Sequence, residues 1–249
     1  INTKENEYLL GLCKYILANM SDHLDFVACT LDEIALEGLD GITIEGLWLR
    51  LANRPNFPLA LDENSKSYIW ECIKCCEDID VYLLAEPRRP LQLYNRFDFF
   101  DPEQDILKEP VVFPIDIYPI VVVDDTDKGI RGSCSTYETR QLITESSKAW
   151  SLQEAVEQYS TSLVLVASQS LRNKTIFGCN VNPAKDLTAK EFVMLERIGR
   201  SRYHGEITQG KQSLSVAMNE PIKSIFYHRK VLSKMGLITK QVFSQHNSK

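Results

Sequence analysis

Lys223, Tyr227, Lys230 and Lys234 recur at alternating four- and three-residue intervals. At about 100° per residue this puts them in a stripe about 60° wide on one helix face. Three ammonium groups and one phenol along one face suit a polyanion. Lysine pairs with phosphate or a guanine edge, and tyrosine donates to phosphate or stacks on a base. Ile225 and Leu232 fall on the opposite side, and Ile222, Phe226, Val231 and Met235 are expected to flank that core-facing arc. The helix is expected from about Glu220 to Met235, with Asn219 as its cap and Gly236 as its stop. Arg229 lies at the core edge, where its head can snorkel out to a phosphate. The competing reading is a solvated amphipathic helix.

A second cluster, Arg200, Arg202, Tyr203 and His204, closes the preceding helix, where a helix-turn-helix protein crosses the phosphate backbone. Charge distribution agrees. Residues 197–249 carry ten Lys/Arg against Glu206 and Glu220, although the whole chain has a net charge of −6. Other chemistries lack a complete set. Cys72, Cys75 and Cys76 form half of a zinc pattern without a second ligand pair, and their helical spacing with Tyr68, Ile69 and Ile73 suits core packing. Asp124-Asp125 has no further carboxylates at cation-loop spacing. The four histidines are dispersed, and there is no phosphate-binding glycine loop or nucleophile elbow. No enzyme activity, cofactor, metal or small-molecule substrate is therefore expected. No apolar run approaches the roughly 18 residues of a membrane span, so no membrane contact is expected either.

The elements that must position these residues read as an α+β fold, with tandem winged-helix domains joined by a small α/β connector. Residues 1–20 stand apart as an extra segment in which 8–10 and 15–17 could form a short apolar helix, and Met20 could be the true start. Residues 21–100 read as helix, short strand, helix, helix and hairpin, with Asp62 capping the third helix and the strands at 79–83 and 91–94. That third helix is acidic on balance, so this first module is expected to contact protein. Residues 101–183 are the connector, with buried strands at 120–123 and 163–167 and a capping box at Ser151 and Glu154. Residues 184–249 form the second, basic module. Thr188 and Glu191 make another capping box, a short helix is expected over 206–213, and the wing strand starts near Leu237. The second strand of that wing is expected to be missing.

Several segments together resemble the largest subunit of transcription factor IIIC. They are the 31–41 segment LDEIALEGLDG, Tyr118-Pro-Ile120, the 127–134 segment DKGIRGSC, Val166 to Gln169, Leu195 to Arg202 and Tyr227 to Thr239. They run in order, and the last two match the region of that family that binds the B-block. The resemblance implies a nuclear, non-catalytic DNA-binding subunit. Its DNA partner would be the internal B-box promoter of transfer-RNA genes, and its protein partners the other subunits of the factor. At the matching positions it implies DNA contact by Arg200, Arg202, Tyr203, Tyr227, His228, Arg229 and Lys230, while Lys223 and Lys234 rest on the helical wheel. The alternative is a winged-helix scaffold that grips partner subunits without touching DNA.

Overall fold

The computed structural model describes residues 3–10, 25–95, 98, 100–101, 103, 106–107, 115–178, 187–208 and 213–246. Strand β1 (Thr3–Leu10) opens the chain. Asp25 then caps α1 (Phe26–Leu36), its carboxylate accepting from the amides of Val27 and Ala28, and Ile34 and Ala35 enter the core. After β2 (Ile42–Thr43), Thr43 caps α2 (Ile44–Ala52), and Asp62 caps α3 (Glu63–Lys74) as its sequence position predicts. Strand β3 (Ile79–Leu83) follows.

The expected hairpin partner of β3 at 91–94 does not form. The chain instead runs through two short hairpins, β4 (Phe100–Asp101) with β5 (Ile106–Leu107), then β6 (Val122–Asp125) with β7 (Ile130–Ser133). Strand β8 (Gln141–Leu142), α4 (Thr144–Ser147) and α5 (Leu152–Tyr159) come next, and α5 carries the Ser151–Glu154 capping box. Only then does β9 (Leu163–Ala167) return to lie between β2 and β3, antiparallel to both, with Ile42 opposite Leu165 and Val81 opposite the same residue. All five residues of β9 are buried. The strand expected in a connector is thus an inner strand of the first module's four-stranded sheet, order β2-β9-β3-β8, and residues 84–162 run from β3 to β9 and add β8 along the outer edge of β3 on the way. Gly41 permits the closure. It sits at φ +68°, and a Cβ there would stand 2.4 Å from the Leu165 carbonyl oxygen.

The strand expected to be buried at 120–123 is the exposed β6 instead. Val121 and Val122 face solvent because β6 is the outer member of a two-stranded ribbon, while β7 takes the inner place and hydrogen-bonds side chains of neighbouring helices.

The second module repeats the order. α6 (Gln169–Phe177) leads to α7 (Ala189–Arg200), capped by the Thr188–Glu191 box. Residues 206–207 form strand β10 (Glu206–Ile207), not the start of the expected helix, because Gly205 at φ +60° breaks the chain direction. The short helix lies later, as α8 (Leu214–Ala217), followed by α9 (Ile222–Lys234) and β11 (Thr239–His246). Asn219 does not cap α9. The N-cap is Pro221, which offers no side-chain acceptor, and Asn219 turns the chain at φ +50°. Gly236 ends the helix at φ +69°, and the Leu237 amide donates to the Leu232 carbonyl at 3.0 Å in a Schellman closure.

The expectation of a missing wing strand is corrected by β1. It lies between β10 and β11, antiparallel to both, and pairs with β11 from Thr3 opposite His246 to Leu10 opposite Thr239. Residues 8–10, expected as helix, belong to this strand; residues 15–17 lie outside the described residues. β1 is therefore an inner strand of the second sheet, as β9 is of the first. Among the described residues three apolar clusters result. One gathers Ile34, Leu47, Trp70 and Leu165, a second gathers Met194, Leu195 and Ile198 with Ile225, Leu232 and Ile238, and a smaller third gathers Leu39, Leu84, Cys134, Val164 and Val166. Among the described residues no helix is long and apolar enough to cross a membrane.

Candidate nucleic-acid interface

Helix α9 is anchored by Ile225 and Leu232, both buried, so the opposite face is free of packing. Lys223, Tyr227, Lys230 and Lys234 all lie on that outer face, with Tyr227 62 % exposed. Among the described residues none of the three lysines has a hydrogen-bond or ion-pair partner, so the face presents uncompensated positive charge. Helical spacing anticipated this grouping because a regular, exposed helix keeps its wheel.

The other expected contacts divide. His228 turns inward. Its Nδ1 lies 3.3 Å from a Glu191 carboxylate oxygen and its Nε2 3.2 Å from the Ser224 hydroxyl, which ties α9 to the N-terminus of α7. Burial raises the Glu191 pKa, but the bonds from Thr188 and His228 outweigh it and leave it lowered. Arg229 is half-buried, its guanidinium 4.9 Å from the centre of the Phe226 ring. Tyr203 is exposed on a 3-10 turn, its ring packed on His204 at 3.9 Å.

Arg200 and Arg202 are corrections. Both are withdrawn from solvent and face the first module. Arg200 donates from Nε to the Glu37 carbonyl at 3.1 Å and from Nη2 to Asp40 at 3.3 Å, and stacks 4.0 Å above the Tyr118 ring. Arg202 bonds Glu33 at 2.6 Å and Glu37 at 2.9 Å from Nη2. Arg50 of α2 and Arg54, just past its end, reach Glu37 and Glu33 respectively, each at 2.7 Å. Burial would raise the Glu37 pKa, but Arg50, Arg202 and Arg200 together hold it down at about 2. Nearby, Glu196 of α7 accepts from Arg172 at 2.6 Å and from the Ser133 amide at 3.0 Å, with both ionised side chains almost fully buried. A buried ion-pair lattice of this kind ties the two modules together and takes Arg200 and Arg202 away from phosphate.

Wheel reasoning missed one feature. Ile222 and Phe226 were expected beside the core, yet they are 61 % and 55 % exposed. Their angular offset from Ile225 and Leu232 was available from the spacing; apolar identity alone drew them inward.

Among the described residues no group of three or more His, Cys, Asp or Glu is placed to hold an ion. The Asp124 and Asp125 carboxylates are instead paired with Arg131 at 3.0 Å and Lys128 at 3.1 Å.

Comparison with known proteins adds a separate line. Residues 188–249 match the family described as the B-block binding subunit of TFIIIC, and residues 24–177 match that of the General transcription factor 3C polypeptide 1 winged-helix domain. General transcription factor 3C polypeptide 1 of Mus musculus and that of Homo sapiens are each 36 % identical over 228 residues, covering 88 % of this chain. The chain spans 11 % of the length of these two relatives.

Proposed function

Since this chain belongs to the family of General transcription factor 3C polypeptide 1, we propose that it serves in the nucleus as a DNA-binding part of transcription factor IIIC, with the outer face of α9 against duplex DNA. Its target is the B-box promoter inside transfer-RNA genes, and other subunits of the factor are its protein partners. The reading is supported by one observation above the rest: Lys223, Lys230 and Lys234 share an exposed face without an acidic partner among the described residues, within the segment 188–249 that matches a family described as B-block binding. A cationic helix face is what a major groove accepts. No catalytic role is proposed, since the family is that of a transcription-factor subunit.

For residues 21–100 a protein-contacting role is favoured by α3, which holds the place in its module that α9 holds in the other. Its Lys66 is paired with Glu63 and its Lys74 with Glu71, both at 2.8 Å, so it presents no cationic stripe.

The test is fluorescence anisotropy on B-box and scrambled duplexes across a salt series. Changing Lys223, Lys230 or Lys234 to Ala should each reduce the slope of log affinity against log salt by about one. A folded triple-alanine variant that keeps both slope and affinity would remove the α9 reading.

A further inference from the structure

The cationic stripe of α9 has an apolar neighbour that the core does not use. Ile222 and Phe226 are one turn apart at the start of the helix and are 61 % and 55 % exposed. Val216 on α8, six residues earlier, is 61 % exposed as well. A single exposed apolar side chain needs no explanation, but a group of large ones beside one helix start marks a contact surface. Their burial here would not complete the domain, because Ile225 and Leu232 already fill the space beneath α9. The Arg229 guanidinium over the Phe226 ring keeps a cation beside the apolar stripe.

Resting on the reading of α9 as a DNA-contacting helix, we propose that Ile222 and Phe226 are its specificity-determining residues and contact thymine methyl groups in the major groove. The occupant follows from chemistry. The apolar mark that the major groove displays is the thymine C5-methyl, and a recognition helix meets base edges through its N-terminal turns, where Ile222 and Phe226 lie. Lys223 follows Ile222 directly and Lys230 follows Phe226 by one turn, so the apolar pair has phosphate-seeking groups along its flank. Lysine is depleted from protein–protein interfaces, which sets this surface apart from a docking face for another subunit.

The experiment compares duplexes with thymine against the same duplexes with deoxyuridine, which lacks only the methyl group. The 249-residue chain and its Phe226→Ala and Ile222→Ala variants are titrated on each. Wild type should lose about fourfold in affinity for each contacted methyl removed. Phe226→Ala and Ile222→Ala should each bind the thymine duplex less well and each show a smaller further loss on deoxyuridine than wild type, the variant keeping only the loss that belongs to the other side chain. Circular dichroism and melting confirm that the exposed-site variants are folded. Salt-dependent binding that ignores both the methyl deletion and Phe226→Ala overturns this inference and leaves the lysine face standing. Absence of salt-dependent duplex binding by the wild type overturns both.

Discussion

Arg200 and Lys230 have the same formal charge in the same basic tail, yet one is spent inside the protein and the other is not. Of the ten cations counted over 197–249, Arg197 is consumed by Asp116 and Glu206, and Arg200 and Arg202 by Glu33, Glu37 and Asp40. Composition counts charge but is blind to partners some 160 residues away, which is why Arg200 and Arg202 were expected at the surface and are found buried. The same lattice gives a pH test at Glu37. Its pKa is depressed from the ordinary 4.5 to about 2 by three guanidiniums acting against burial. A depressed carboxylate stabilises the fold above its unfolded pKa and loses that contribution as pH falls through the folded one. Glu37→Gln should therefore cost about 3 kcal/mol in urea melts at pH 7. The gap from wild type should narrow between pH 4.5 and pH 2. A gap that stays constant over that range would contradict the assignment.

Most helices and three side-chain caps were legible at the scale of elements because they are local, while the Asn219 cap and the 206–213 helix were not. Asp62, Ser151 and Thr188 each cap the helix predicted from their position, and Leu163–Ala167 is buried as its apolar run requires. Strand partners were not legible. A hairpin was expected between 79–83 and 91–94 because near neighbours close the cheapest loop, but β3 pairs with β9 across a long excursion. β1 is the extreme case, since its partner β11 lies at the other end of the chain. Removing residues 1–10 should expose the backbone groups of β11 along its paired length. Hydrogen exchange should show loss of protection at 239–246, with the Trp70 region of the first core unchanged. Retained protection there would mean that β1 is not the strand that holds β11.

Across the whole molecule, the ion pairs make two small domains behave as one. Glu33 and Glu37 are gripped from both modules at once, and Glu196 joins α7 to α6 and β7. Removing one member of a buried set leaves its partner charge uncompensated, at a cost of about 3–5 kcal/mol. Trp70 lies in the first core and Trp48 and Trp150 pack against it, so tryptophan fluorescence reports that module. Amide exchange in α9 reports the other. The two midpoints in urea should coincide in the wild type and separate in Arg202→Ala, with α9 opening first. Two separate wild-type transitions would show that the lattice does not couple the modules. This coupling could not be read from the sequence, because each ion pair joins segments whose nearness only the completed fold creates.

The pairing of β1 with β11 also bears on how the chain is made. β1 leaves the ribosome well before the partner it must wait for. Synthesis at about 5–20 residues per second leaves roughly 12–50 seconds between residues 3–10 and residues 239–246. During that interval the first module can close around β9, while β1 remains an unmatched edge. A contact of such sequence separation slows folding, so the second sheet is the last part to be completed. The lysine face of α9 therefore gains its full support only when residues 3–10 and 239–246 have met.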